Sequence, residues 1–183
     1  MEDKTLEILR KHLDKDFSVM PMAEKQSTID DIIKIEKKLK IKFPGEYVAH
    51  LLAEGADVLN ERGIHIVVKE EVWPRPKLYD VLPFWSFLYG IHTYTPREES
   101  EDWMKLETVG EQFIEMTGIR AVPILQIIGD ANLYCVDGTG EIVQYDLGQN
   151  IVEKINLNFW ELFEKELKEL KERKEIKIKE SKK

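Results

Sequence analysis

The sequence has 183 residues, enough for one domain with its own core and too few for two large ones. Hydrophobic residues make up 43% and charged residues 34%, which excludes a disordered chain and fits a globular one. The formal net charge is −8, which disfavours nucleic acid as a partner, since phosphate neutralisation by cations supplies most nonspecific affinity.

From the amino terminus, Thr5 to His12 places Leu6, Leu9 and Leu13 at helical spacing with Ile8 alongside, a short amphipathic helix. The acidic start before it, Met1-Glu2-Asp3-Lys4, leads into no continuous apolar run, so no signal peptide is expected. Phe17 to Lys25, with Pro21 and two methionines, reads as an irregular connection. A stronger pattern opens at Ser27, where a capping hydroxyl followed by Asp30 favours the exposed amides of a helix start. Ile29, Ile32, Ile33 and Leu39 form an apolar stripe, with Glu36 inside it. Pro44 suits the first turn of a second helix with Tyr47, Val48, Leu51 and Leu52 on its buried face, and Gly55 can close that helix in a left-handed conformation.

Farther along, Ile64 to Val68 is a β-branched run suited to a strand, and Leu78 to Leu82 and Phe87 to Tyr94 are further strand candidates. Pro74, Pro76, Pro83 and Pro96 confine regular pairing to the stretches between them. Helical periodicity returns from Asp102, with Trp103, Leu106, Val109, Phe113 and Met116 on one side and Gly118 as terminator. Ala121 to Ile128 is nearly all apolar, as a central strand would be, and far short of the roughly 20 residues of a membrane-spanning helix. Gly129-Asp130 breaks it, and Leu133 to Val136, Ile142 to Tyr145 and Ile151 to Ile155 complete an antiparallel meander around the Asp137-Gly138-Thr139-Gly140 turn. Asn158 with Glu161 caps a closing helix that turns Phe159, Phe163, Leu167 and Leu170 to the sheet. Glu161–Lys165 and Glu164–Lys168 are expected to pair on its outer face, and Lys177 to Lys183 to fray.

These elements predict an α+β domain: a single mostly antiparallel sheet with helices packed against it. Residues 1–26 supply the N-terminal helix and connection, 27–165 the domain, and 166–183 the end of the closing helix and a charged tail. Charge is uneven along this plan. Residues 164–183 hold nine Lys/Arg and six Glu, while residues 1–163 hold 18 positive against 29 negative charges, a body of −11 that would steer a basic protein partner toward itself.

Two blocks carry a resemblance. Ile32-x-x-x-Glu36-x-x-Leu39, Phe43-Pro44-x-x-Tyr47-x-x-x-Leu51-Leu52 and Gly55 resemble the amino-terminal signature of the SUKH superfamily, the Smi/Knr cell-wall-assembly-regulator-like and bacterial immunity proteins. Val122-Pro123-Ile124, Ile128-Gly129-Asp130, Tyr134-Cys135-Val136-Asp137 and Gly140-Glu141-Ile142-Val143 resemble its second block, in the expected order. Glu54 stands where the family usually has Asn, and Phe43 where it usually has Leu. The resemblance implies that Glu36, Pro44, Tyr47, Gly55, Pro123, Gly129, Asp130 and Asp137 are structural residues of the fold. It further implies a non-enzymatic cytoplasmic binding protein, an immunity or antitoxin-type protein that neutralises a toxin domain such as a nuclease. A regulatory adaptor of the glucan-synthesis-regulator type is the alternative, and a metal-dependent hydrolase using Asp130 and Asp137 is a third reading from another class.

Candidate chemistry is sparse. Glu36 on an apolar stripe is as well explained by bracing buried amides as by acid catalysis. Asp130 and Asp137 flank a strand in turn-rich sequence, where Asp is favoured in any case. Cys135 is the one cysteine, so an intramolecular disulfide is excluded and a reducing compartment expected. His12, His50, His65 and His92 stand at no ligand spacing. No metal and no cofactor are expected, and no enzyme signature is present.

Residues 71–103 contain Trp73, Tyr79, Phe84, Trp85, Phe87, Tyr89, Tyr94 and Trp103, eight of the 17 aromatics, where an even spread would give roughly three. Such rings either fill the core or anchor an interface. On the second reading Trp73, Trp85 and Tyr94 border the partner surface, and the acidic run Glu98, Glu99, Glu101 and Asp102 forms its rim.

Overall fold

Among the described residues seven strands form one antiparallel sheet whose spatial order is the chain order, so each strand pairs with the next. They are β1 (Phe17–Pro21), β2 (Ile64–Val68), β3 (Gly90–Thr93), β4 (Ala121–Ile127), β5 (Asn132–Asp137), β6 (Ile142–Asp146) and β7 (Ile151–Lys154). The helices are α1 (Lys4–His12), α2 (Ile29–Leu39), α3 (Gly45–Leu52), α4 (Leu106–Thr117) and α5 (Phe159–Glu180), with a 3-10 turn at Phe84–Phe87. The coordinates are a computed structural model and describe residues 3–52 and 63–183. Gly55, expected to end α3, lies outside the described residues. The predicted α+β class is what the chain adopts, and among the described residues no helix is long and apolar enough to cross a membrane.

Strand alternation builds the core. Ile64, Ile66 and Val68 of β2, Ile91 of β3, Leu125 and Ile127 of β4, and Tyr134 and Val136 of β5 face one cluster with the helices. Into that cluster α5 lays Phe159, Leu162, Phe163, Leu167 and Leu170, all fully buried, while α1 adds Leu6, Ile8 and Leu9 and α3 adds Tyr47 and Leu51. Cys135, Val143 and Tyr145 point to the other face, where Phe113 of α4 covers them with its ring edge-on to Tyr145. β4 is therefore buried on both sides, which is why its sequence is almost continuously apolar.

Several local expectations change. Phe17 to Pro21 is an edge strand, formed because β2 offers a full antiparallel partner, and Pro21 sits at its end where a missing N–H is tolerated. Thr28 caps α2 in a reciprocal box with Asp31, in place of Ser27, which is buried. Leu78 to Leu82 form no strand and stand exposed. Trp103 precedes α4, which starts at Leu106, and Met116 faces outward. On α5, Glu161 is occupied by the cap and Glu164 by Lys11 and His12 of α1, so the expected pairs do not form and Lys165 meets Glu166 and Glu169 instead. The helix runs regularly to Glu180. Its Lys174 is buried, with its ammonium 2.5 Å from Asp14, 3.2 Å from Asp16 and 3.4 Å from Glu175, and the two aspartates tie α5 to the start of β1.

Candidate functional site

The family-motif residues resolve into backbone supports. Lys40, at the end of α2, takes a left-handed conformation, and its N–H returns to the Glu36 carbonyl. The Glu36 side chain fastens the turn that follows, accepting the buried Phe43 N–H at 2.9 Å and the Lys42 ammonium at 2.6 Å. Pro44 stands directly before α3, its carbonyl accepting the Val48 N–H, and Tyr47 is fully buried against Phe43, His50 and Phe159. Glu36→Ala is expected to cost about 1–3 kcal/mol, because the Phe43 amide loses its acceptor. Glu36→Gln keeps an acceptor there and loses only the exposed Lys42 contact, so it should cost less than about 1 kcal/mol in urea denaturation.

Pro123 marks the register shift in β4. Gly129 has φ 85°, and a Cβ there would meet the Phe87 carbonyl oxygen at 2.6 Å, so only glycine fits the turn. Asp130 accepts the Asn132 N–H, while Asp137 accepts the Thr139 and Glu141 N–H groups and the Thr139 hydroxyl. Each carboxylate closes its own turn. Among the described residues no three His, Cys, Asp or Glu side chains are grouped to hold a metal, and burial raises the Cys135 thiol pKa well above its usual range, away from the reactive thiolate.

Of the aromatic candidates, Trp73 is fully enclosed, donating its indole N–H to the Ser86 carbonyl at 3.1 Å and meeting Trp85 edge-on. Tyr94 is also buried, its hydroxyl donating to Gln126, and Trp85 is half-buried beneath Lys177. The expectation of surface anchors is therefore corrected for Trp73 and Tyr94: each ring finds its apolar and polar partners within its own domain. The acidic run is also largely matched internally. Glu98 pairs with Lys34, Glu99 with Arg97 and Asp102 with Lys105, while Glu101 accepts the Trp103 indole N–H at 2.7 Å.

Trp103 is half open, 47% exposed. It stands on the sheet face opposite the main core, edge-on to His65 and His92 at 6.5 and 6.0 Å. These two histidines are cross-strand partners in β2 and β3, with rings stacked 6.0 Å apart. They line a hollow of about 440 Å³ with Val67, Glu70, Arg75, Tyr89 and Trp103. Nδ1 of each is buried and has no hydrogen-bond partner among the described residues. Burial lowers both pKa values, that of His92 to about 4 with His65 adding to the effect, so both rings are neutral at pH 7. A hollow of two neutral imidazoles, an indole and a phenol ring, with the Arg75 guanidinium lying over Tyr89, can seat an apolar or aromatic side chain. Sequence spacing missed this pair because 27 positions separate the two histidines. Their shared outward register in adjacent strands was the available signal.

Residues 26–165 match the model of the SMI1 / KNR4 family (SUKH-1). No curated protein and no solved structure matches the chain.

Proposed function

The chain belongs to the SMI1 / KNR4 family (SUKH-1), with an immunity or Smi1/Knr4-like role at the family level, and from that premise we propose a non-enzymatic protein-binding module that masks a basic toxin domain. The observation that carries this reading is Trp103, half-exposed over the paired imidazoles on the sheet face opposite the main core. An amphipathic ring over a preformed hollow is the usual chemistry of an interface hot spot. The net charge of −11 over residues 1–163, with Glu101 accepting the indole N–H, supports a basic partner.

The test is affinity capture from the native host with the full chain and with Trp103→Ala in parallel. A basic protein is expected to be retained by the parent chain and to bind the variant roughly 30-fold more weakly, or about 2 kcal/mol. The variant should lose no more than about 1 kcal/mol of stability, because the ring is half in solvent. Equal capture by both chains removes the assigned surface. Capture of a single endogenous wall-assembly enzyme, with no toxin domain, would select the adaptor role instead.

A further inference from the structure

Residues 77–84, between β2 and the 3-10 turn, display the greatest apolar exposure among the described residues. Leu78 and Tyr79 are 89% exposed and Val81 is 100% exposed, with Leu82 and Phe84 beside them. Five large apolar side chains in seven positions are not the scattered exposure that any surface tolerates. Nor is the segment without order: the Asp80 N–H donates to the Lys77 carbonyl, and the Lys77 N–H donates to the Asp80 carboxylate at 2.7 Å. The one acidic group at the tip is thus already hydrogen-bonded.

At the root of this loop lies the second half of α5. The Lys177 ammonium stands 5.8 Å over the Trp85 ring, and Arg173 donates to the Leu88 carbonyl at 3.1 Å. Residues 171–183 carry seven Lys/Arg against three Glu, so the apolar loop and the basic end of an otherwise acidic molecule lie side by side.

We propose that the apolar loop 78–84 and the basic end of α5 form a docking surface for an anionic lipid bilayer, the loop entering the interface while the lysines meet headgroups. Three features favour a bilayer over a protein. Near-complete exposure of Leu78, Tyr79 and Val81 means that they protrude separately, so a protein would need a fitted pocket for each, whereas a bilayer has no such shape demand. Tyr and Trp favour the level of the headgroups, where Tyr79 and Trp85 would lie. Apolar insertion combined with adjacent Lys/Arg is also the combination that gives reversible attachment to anionic leaflets. A basic toxin would be repelled from this end, so the ligand proposed here differs from the one assigned to Trp103.

The test is flotation of the full chain with phosphatidylcholine vesicles, with and without phosphatidylglycerol. Flotation is expected only with phosphatidylglycerol present, and it should weaken as salt rises. Leu78→Ser with Val81→Ser and Phe84→Ser, and separately Lys177→Glu with Lys179→Glu, should each weaken it about tenfold or more. Unchanged thermal melts would show that both variants remain folded. Trp103→Ala should float like the parent, which keeps this result distinct from loss of the protein-binding surface. No flotation with the anionic vesicles overturns the proposal, as does equal flotation with both lipids. A dimer in solution that the triple-serine variant abolishes would also overturn it, by assigning the loop to a second copy of the chain.

Discussion

Between pH 6.5 and 4.5 the fold is expected to lose about 4 kcal/mol of stability from His50 and His92 in roughly equal parts, with His65, also lowered by burial, adding in the same direction. His50 is fully buried between α1 and β3, with Nδ1 3.0 Å from the Thr5 hydroxyl and Nε2 3.2 Å from that of Thr93. Tyr47, Phe159 and Phe163 surround the ring. Burial pushes its pKa from the usual 6.5 down to about 3, and that of His92 to about 4. As the pH falls below 6.5 the unfolded chain takes up protons that the native chain refuses, so unfolding becomes progressively easier until the native values are reached. Carboxylates act in the same direction but later. Glu164, held down to about 2 by its bonds to His12 and Lys11, loses its contribution only below its unfolded value of 4.5. The interval from pH 6.5 to 5 therefore isolates the imidazoles. Urea denaturation at half-unit steps should show this slope, and His50→Gln should remove about half of it. A flat profile above pH 5 would mean that neither imidazole is held neutral by burial.

Replacing Trp73 by Ala is expected to cost about 3–5 kcal/mol, the range for deleting a fully enclosed large aromatic. The ring contributes its buried area, its edge-on contact with Trp85 and a hydrogen bond that satisfies the Ser86 carbonyl. Trp73→Phe retains most of the area and leaves that carbonyl without its donor, for a loss of about 2 kcal/mol. An anchor in a partner interface would behave oppositely, with binding lost and stability kept. A loss below about 1 kcal/mol for Trp73→Ala in equilibrium unfolding would return the residue to the interface reading.

The contrast between Trp73 and Trp103 shows how far the sequence can be read. Clustering of eight aromatics in residues 71–103 marked the region as unusual without sorting its rings. Sorting depends on β2–β3 pairing, which carries Trp73 into the core and leaves Trp103 over His65 and His92. The acidic run was similarly ambiguous. Glu98 meets Lys34, whose proximity follows from where α2 packs, while Glu99 meets Arg97, two residues away in the chain. Leu78 to Leu82 misled because an apolar run has strand-like composition whether or not the fold offers it a strand to pair with.

Short-range features were settled by sequence alone. Gly118 ends α4 with φ 71°, Asn158 and Glu161 cap α5 reciprocally, and the continuous apolar run of β4 announces a strand covered on both faces. Each of these is written within a few neighbouring residues, because caps, turns and periodicity act over one or two turns of chain. Tertiary structure alone decided that Phe17–Pro21 joins the sheet, that Lys174 is buried between two aspartates, and that two distant histidines share one hollow. Those outcomes depend on the free energy of bringing remote groups together, which no local window of sequence contains.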